Sequence, residues 1–381
     1  MIYLDNAATS FPKPEAVYEA MDRFARQSCG NPGRSGHRLA VESQKVVTQA
    51  RRAVAALFGA PGPERVIFTL NATDAINIGI KGLVRPGDHI VSTTMEHNSV
   101  ARCLTRLERD GVAVTRVKGQ PDGLVRATDI LEAVRPDTRL VAMVHASNVV
   151  GTVQPVEAVG EALRGTGTLL LVDAAQSAGV LPIDIRAQGI DLLAFAGHKG
   201  VLGPTGTGAL VLGERAEPEP LKEGGTGTTS ESIEHPRELP ERLEAGTVNC
   251  MGLAGLLEGV RYVQERSPER IAEHERDLGA LLHELLDEVP GVTLYGPEDF
   301  SKRVGVVSFT VAGIAPQDVA AVLDTSFDTA VRAGLHCAPL AHATLGTPPS
   351  GTVRMSPGPF TTALEIRSAA EAVAAIAESA G

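Results

Sequence analysis

A lysine and an aspartate follow two apolar runs that have the length of buried strands. Lys199 lies in a glycine-rich loop after the run 192–196, and Asp173 directly follows the run 169–172. Open α/β sheets bind their ligands at the carboxyl ends of neighbouring strands. A lysine that forms a Schiff base and an acid that holds a pyridinium nitrogen could together bind pyridoxal phosphate. Alternatively, Lys199 is a solvated loop residue and Asp173 caps a helix.

Two turns after other predicted strands add polar groups to the same edge of the sheet. The turn 71–74 opens a predicted helix, whose free N–H groups could bind a phosphate. His97 follows the next predicted strand and could stack on an aromatic cofactor. The alternatives are an ordinary cap supplied by Thr73 or Asp74, and a hydrogen-bonded surface histidine.

A cysteine and an arginine near the end of the chain could act on a substrate. Cys337 lies beside His336 in a loop bounded by glycine and proline, and a positive charge on His336 or another neighbour would favour the reactive thiolate. Arg354 lies on a short predicted strand, and its planar guanidinium could bind a carboxylate through two donors. The alternatives are a buried structural cysteine and a surface ion pair.

Strand-like and helix-like runs alternate over the first two-thirds of the chain. The predicted strands are 66–69, 89–93, 112–116, 140–144, 169–172 and 192–196. The predicted helices include 39–58 and 75–83, followed after a long gap by 252–266 and 268–289. This alternation predicts an α/β fold with a mostly parallel sheet covered by helices on both faces.

The rest of the chain departs from that alternation in two places. Residues 213–248, rich in glycine, proline, threonine and charge, predict a long exposed excursion, a type of loop that is often functional. From about residue 292, predicted strands at 304–310 and 353–356 mix with predicted helices at 317–323 and 362–379. This mixture indicates a smaller α+β domain at the C-terminal end.

Composition and charge argue against several classes of protein and of site. The 381 residues carry 35 basic and 46 acidic side chains, a balance that argues against broad binding of nucleic acid or acidic membranes. The longest apolar runs are far shorter than the roughly 20 residues of a membrane span, and the first residues have no signal-peptide pattern. The four cysteines form no CxxC pair, which favours a reduced, cytoplasmic location over a disulfide framework or a structural zinc site.

The order of these motifs resembles that of the class V aminotransferases, and within them the cysteine desulfurase and selenocysteine lyase group. The resemblance extends nearly from end to end, as far as Arg354. The matching segments are Tyr3-Leu4-Asp5-Asn6-Ala7-Ala8-Thr9, Gly30-Asn31-Pro32-Gly33-Arg34-Ser35-Gly36-His37, Ala72-Thr73-Asp74-Ala75-Ile76-Asn77, Met95-Glu96-His97, Ser147-Asn148, Val172-Asp173-Ala174-Ala175-Gln176, Gly197-His198-Lys199 and His336-Cys337-Ala338.

The resemblance implies a fold and a division of the chain. The fold is that of the type I pyridoxal-phosphate-dependent transferases, with a mostly parallel seven-stranded sheet in a large domain and a smaller α+β C-terminal domain. The large, cofactor-binding domain would comprise residues 1–255. The small domain would comprise residues 256–381 and carry the cysteine loop.

The resemblance also implies a role for each matching position. Lys199 would bind the cofactor covalently, Asp173 its pyridinium nitrogen and Gln176 its phenolic oxygen, while His97 would stack on the ring. Asn148 and Arg354 would bind the substrate, and Cys337 would accept the sulfur. The positions implied for the phosphate are Ala72, Thr73 and His198, with Gly227 and Thr228 in the stretch 225–228 reaching the phosphate of a neighbouring subunit in a homodimer with shared active sites.

The implied reaction converts L-cysteine into L-alanine and leaves a persulfide on Cys337 for an acceptor protein or small thiol. L-selenocysteine is an alternative substrate, and transamination or another C–S lyase reaction is a second alternative. A non-catalytic scaffold on the same fold is a distant one. Two positions depart from the common pattern: Ala196 stands where many relatives have a phosphate-binding serine, and Leu335 stands where many have a histidine.

Overall fold

A seven-stranded sheet forms the centre of the structure, a computed structural model that describes residues 1–33, 36–228 and 231–380. The strands of the described residues are β1 (Ile2–Tyr3), β2 (Val66–Thr69), β3 (His89–Thr93), β4 (Ala113–Val117), β5 (Thr138–Val144), β6 (Leu169–Asp173), β7 (Leu192–Ala196), β8 (Gly208–Leu212), β9 (Val292–Tyr295), β10 (Val307–Val311), β11 (Thr329–Ala330), β12 (Arg332–Gly334) and β13 (Thr352–Met355). The helices are α1 (Glu15–Gln27), α2 (Arg38–Phe58), α3 (Ala72–Leu83), α4 (Asn98–Arg109), α5 (Ala127–Glu132), α6 (Val156–Leu163), α7 (Cys250–Arg266), α8 (Pro268–Asp287), α9 (Pro316–Phe327), α10 (Pro339–Leu345) and α11 (Ala363–Ala380).

The large sheet has the strand order β2-β8-β7-β6-β5-β3-β4. Neighbours from β4 to β7 pair in parallel, whereas β8 runs antiparallel to both β7 and β2. The predicted mostly parallel sheet is therefore confirmed, with β8 as a strand that the sequence patterns did not identify.

Helices cover both faces of this sheet, as predicted. Successive side chains of a strand point to opposite faces, and on β6 Leu170 and Val172 join one apolar cluster while Leu169 and Leu171 join another. The first cluster includes residues of α1, α2 and α7, and the second includes residues of α3 and α4. Burial on both faces explains why these strands are continuous apolar runs rather than alternating ones.

The C-terminal part contains a four-stranded antiparallel sheet of order β12-β13-β10-β9. Its core is shared with α8, α9 and α11, which gives the predicted α+β arrangement. Strand β1 pairs with β11, and Leu4 is buried in this same C-terminal core. Helix α7 crosses residue 255, so the division into 1–255 and 256–381 stays a prediction, and Gly381 lies outside the described residues.

The predicted excursion is present: between Leu212 and Cys250, the described residues form neither helix nor strand. It is fixed to the large domain by a two-pronged pair between Arg51 and Glu244, with nitrogen–oxygen distances of 2.6 and 2.7 Å. Thr229 and Ser230 of this excursion lie outside the described residues, as do Arg34 and Ser35 of the segment 30–37.

Within the described part of the chain, none of the helices combines the length and the apolarity that crossing a membrane requires.

Candidate active site

Asp173 and Lys199 come from adjacent parallel strands of the large sheet. Asp173 is the last residue of β6, is 2% exposed, and accepts a hydrogen bond from the Ala175 amide at 2.9 Å. Burial raises the pKa of Asp173, while the Ala175 amide and the positive Lys199 oppose that rise. The acid thus lies at the carboxyl end of the sheet, where α/β folds bind ligands.

Lys199 lies three residues beyond the end of β7 and is only partly exposed. Burial lowers the pKa of its amine to about 8; Asp173 raises it, and Arg354 and Arg332 lower it further. An amine with this pKa is partly neutral near neutral pH, and a neutral amine can act as a nucleophile or a base.

His97 caps helix α4 with its imidazole ring. Its Nδ1 accepts the backbone N–H of Ser99 at 3.0 Å, so the neutral ring carries its proton on Nε2. Burial, followed by the charge of Lys199, lowers the pKa of His97 to about 4. The ring is therefore uncharged at neutral pH, which suits contact with an aromatic face.

A chain of hydroxyl groups joins His97 to the start of helix α3. Ser99 Oγ lies 2.8 Å from His97 Nδ1 and 2.9 Å from Thr73 Oγ1. Asn71 caps α3 by accepting the Asp74 N–H at 3.0 Å, and Ala72 and Thr73 occupy the first turn, where N–H groups have no partner within the helix. These groups form a donor-rich position for an anion.

His198 contributes a further buried ring next to Lys199. Its Nδ1 has no hydrogen-bond partner among the described residues, and burial with the charges of Lys199 and Lys13 lowers its pKa to about 4. Its carbonyl accepts hydrogen bonds from the N-terminal segment, including the Ser10 amide at 3.0 Å. The loop that carries Lys199 is thus attached to residues 9–13.

Asn148 and Arg354 meet at the junction with the C-terminal sheet. Arg354, on β13, is 1% exposed and donates from Nη1 to the Asn148 carbonyl at 2.9 Å. The Asn148 amide donates from Nδ2 to the His336 carbonyl at 2.6 Å. Arg354 Nε and Asn148 Oδ1 are buried without partners among the described residues, so both retain hydrogen-bonding capacity.

The Cys337 loop lies at the protein surface beside this junction. Cys337 is exposed, which excludes the buried structural cysteine, and its carbonyl accepts the Asn98 N–H at 2.8 Å. Both His336 and Cys337 have left-handed backbones, with φ of 48° and 59°. Such φ values are uncommon outside glycine, and strained backbone of this kind clusters at functional sites.

The sequence suggested a positive charge on His336 or on another neighbour to activate Cys337, and His336 does not supply that charge. His336 is 3% exposed, its Nε2 lies 3.0 Å from Thr352 Oγ1, and burial holds its pKa well below the usual range, so its ring is neutral. The positive group near the sulfur is instead Arg332, whose Nη2 lies 3.5 Å from Cys337 Sγ. Leu335, where many relatives have a histidine, is 39% exposed.

Gln176, Gly227 and Thr228 are less directly connected to Lys199. Gln176 donates from Nε2 to the Ala7 carbonyl at 2.9 Å, which leaves one amide hydrogen for another partner. Gly227 and Thr228 line a separate cavity of about 110 Å³ with Arg51, and Lys199 does not line it. Their predicted role in a neighbouring subunit stays a prediction.

Three acidic residues near the site had no role in the sequence interpretation. Glu96 is 1% exposed, and burial, with a contribution from Asp173, raises its pKa to about 8. Glu275 is 8% exposed and lines a cavity of about 40 Å³ that Lys199 and Gln176 also line. Asp5 pairs with Arg354 at 2.8 Å. Glu96 and Asp5 belong to segments that match the family, but the residues around them give no sign that Glu96 is buried or that Asp5 pairs with Arg354.

Comparison with known families gives a match over most of the chain. A family model described as Aminotransferase class-V matches residues 2–368. A protein of Methanothermobacter thermautotrophicus described as a probable cysteine desulfurase is 38% identical, covering 99% of this chain and 94% of that protein. A protein of Pyrococcus abyssi with the same description is 38% identical, covering 89% of this chain and 85% of that protein.

Solved structures give the same relationship. The apo structure of a cysteine desulfurase from Thermococcus onnurineus has a TM-score of 0.93 at 36% identity, covering 99% of this chain and 95% of that chain. The cysteine desulfurase CsdA of Escherichia coli, described as its S-sulfonic acid, has a TM-score of 0.89 at 29% identity, covering 100% of this chain and 95% of that one.

Proposed function

This chain belongs to the class V aminotransferase family, and we propose that it is a pyridoxal 5′-phosphate-dependent cysteine desulfurase that forms a persulfide on Cys337. The type I fold expected for the family is confirmed by the solved relatives. The observation that carries the proposal is that the charges of Arg354 and Arg332 both act on the Lys199 amine, while Arg332 Nη2 also lies 3.5 Å from Sγ of the exposed Cys337.

The residues around Lys199 fit the cofactor. The site contains a donor-rich helix start, a neutral histidine and a buried acid, and His198 Nδ1 is a buried polar atom without a partner among the described residues. When bound, the cofactor supplies a ring that accepts the electrons released at the substrate Cα. The residues that would hold it are Lys199 by a covalent bond, Asp173 at the ring nitrogen, His97 on the ring face, Gln176 at the phenolic oxygen, and Ala72, Thr73 and His198 at the phosphate, with Gly227 and Thr228 of a neighbouring subunit.

The two buried ionisable groups divide the proton work. Once the substrate amine has taken its place on the cofactor, the freed Lys199 Nζ, with its pKa lowered to about 8, would take the proton from the substrate Cα and later return one to the product carbon. Asp173 would face the ring nitrogen; burial raises the pKa of its carboxyl, while the Ala175 amide and the charge of Lys199 both favour its ionised form. Desolvation is the largest cause of the shift in both groups.

The substrate carboxylate would bind Arg354 Nε, which has no partner among the described residues, and the second hydrogen of Asn148 Nδ2, whose first goes to the His336 carbonyl. Cys337 Sγ then attacks the substrate sulfur: an S–S bond forms, the Cβ–S bond breaks, and its electron pair stays with the carbon fragment. Cysteine and a thiol give alanine and a persulfide, so atoms and electrons balance without an added oxidant. Arg332, 3.5 Å from Sγ, is placed to contact a charge on the sulfur.

Several partners follow from this proposal. The outer sulfur atom of the persulfide on exposed Cys337 is transferred to an acceptor protein or a small thiol. The active protein is a cytoplasmic homodimer in which the loop containing Gly227 and Thr228 completes the neighbouring site. L-Selenocysteine is an alternative substrate.

The test is alanine formation from L-cysteine by the cofactor-loaded protein, together with mass spectrometry of the persulfide. We expect one molecule of alanine for each sulfur atom taken from cysteine, and a mass gain of one sulfur atom on Cys337. Cys29, the other exposed cysteine, is the matched control: Cys29→Ala should keep both signals. Formation of a keto acid instead of alanine, or alanine formation without any sulfur on Cys337, would contradict the proposal.

A further inference from the structure

We propose that Asp5 is the resident counter-ion of Arg354 and that it weakens the binding of the substrate carboxylate to that arginine; this rests on the proposed function. Arg354 Nη2 lies 2.8 Å from Asp5 Oδ1, and the two side chains are 1% and 22% exposed. A guanidinium this deeply buried is costly without an anionic partner. Asp5 therefore supplies the negative charge that a substrate carboxylate would otherwise bring to Arg354.

The hydrogen bonds of Arg354 show which of its N–H donors is available to a ligand. Nη1 donates to the Asn148 carbonyl, Nη2 donates to Asp5, and Nε is buried without a partner among the described residues. A carboxylate that binds Nε comes next to the nitrogen already paired with Asp5. Two carboxylates then share one guanidinium, and their mutual repulsion subtracts from the affinity for the incoming one.

Asp5 is held in this position by backbone contacts on both sides. It forms a parallel bridge with Ser356, the Ala7 amide donates to Ser356 Oγ at 2.9 Å, and the Ser356 amide donates to the Leu4 carbonyl at 2.7 Å. These contacts join residues 4–7 to the end of β13 and therefore hold the Asp5 backbone next to Arg354. The carboxylate of Asp5 thus has Arg354 within reach whether or not a ligand is bound.

The charge of Asp5 also extends across the site. It raises the pKa of Lys199, in opposition to Arg354 and Arg332, so a negative charge at Asp5 is felt at the reactive amine. The described charges around Lys199 are those of Asp173 and Asp5 against those of Arg354 and Arg332. Removal of the Asp5 charge makes this environment more positive and more attractive to an anionic ligand.

The test is equilibrium binding to the cofactor-loaded protein, followed through the cofactor absorbance. L-Alanine carries a carboxylate, and isopropylamine is the matched amine without one. We expect Asp5→Asn, which keeps an oxygen acceptor for Nη2, to lower the dissociation constant of L-alanine about three- to tenfold and to change that of isopropylamine much less. The KM for L-cysteine should fall by a similar factor.

Asp328→Asn is the matched control, because Asp328 pairs with the N-terminal amine of the same segment, away from Arg354. Weaker or unchanged L-alanine binding by Asp5→Asn, or an equal change for both ligands, would overturn the proposal and leave Asp5 with a structural role only. Failure of the wild-type protein to make alanine from cysteine would instead contradict the proposed function, while the binding ratio of the two ligands still tests Asp5.

Discussion

Lys199 and Cys337 have opposite surroundings, although both belong to one candidate site. Around Lys199, burial sets the chemistry: it lowers the pKa of the lysine and of His97 and raises that of Asp173. Around Cys337, the side chain is exposed, the backbone is left-handed and the nearby charge comes from Arg332. In the proposed reaction, the first region protects a proton transfer from water, and the second presents a sulfur atom to other molecules.

The two halves of the proposed reaction therefore have different physical requirements. Desolvation makes an amine a base at neutral pH, but a buried thiol could not deliver sulfur to a second protein. The two buried cysteines illustrate the point: burial raises the pKa of Cys103 and of Cys250 to about 11, which makes both poor nucleophiles.

The most severe test of the buried region is Lys199→Ala. We expect alanine formation to fall by a factor on the order of 10³ or more, because the base and the covalent attachment are both lost. The absorbance band of the lysine-bound cofactor should disappear as well. Lys45→Ala, a change at an exposed lysine, is the control. A borohydride-reducible band in the Lys199 variant would show that another lysine holds the cofactor.

The exposed region is tested by Cys337→Ala. We expect cysteine desulfuration to fall about a hundredfold or more, because sulfur needs a nucleophile to remove it. Selenium should still be released from selenocysteine, because a selenol is far more acidic and leaves more readily. The measurement compares alanine formation from the two substrates. Unchanged desulfuration would separate Cys337 from the reaction.

Arg332→Gln sharpens the comparison within the exposed region. Loss of the charge 3.5 Å from Sγ should slow persulfide formation in a single turnover by about tenfold, the effect of one hydrogen bond to a charged group. Arg332→Lys should restore part of the rate. Equal rates for wild type and the glutamine variant would mean that the loop activates Cys337 without Arg332.

The smallest effect concerns Glu275, where burial alone raises the pKa to about 8. The ordinary pKa is 4.5, so between pH 4.5 and 8 Glu275 is ionised in the unfolded chain but protonated in the folded protein. Its burial therefore lowers the free energy of unfolding, by an amount that increases as the pH rises through that range. Between pH 5 and pH 8, the free energy of unfolding of Glu275→Gln should therefore rise by on the order of 3 kcal/mol relative to that of wild type.

Thermal unfolding at the two pH values measures this difference. Glu284→Gln, an exposed change on the same helix, is the control and should not alter the pH dependence. Parallel pH dependences for wild type and Glu275→Gln would mean that water or another group compensates the buried acid.

The sequence predicted the sheet and the buried region well. Continuous apolar runs such as 169–172 and 192–196 occur because strands buried on both faces cannot alternate, and Asp173 and Lys199 follow those runs. Strand β8 was missed, although Gly208–Leu212 is a similar run, because its antiparallel place between β7 and β2 depends on tertiary pairing.

The exposed region was predicted less completely, for physical reasons. Cys337 and Arg354 stand out in the sequence, but the neutrality of His336 depends on burial that only the folded protein creates. The pairing of Asp5 with Arg354 joins opposite ends of the chain, and no local pattern reports such a contact. Helix α1 was also missed, although its buried residues Val17, Ala20 and Phe24 have the spacing of one helical face, the face that packs against α7.

The parallel pairing of β1 with β11 has a consequence for how the protein is made. Strand β1 waits unpaired on the growing chain until more than three hundred further residues have been synthesised, because its partners are Thr329 and Ala330. The contact between Asp5 and Arg354 forms later still, since Arg354 follows those partners in the chain. A purification tag fused ahead of Met1 would leave the protein beside Asp328, whereas one placed after α11 would not interrupt this strand.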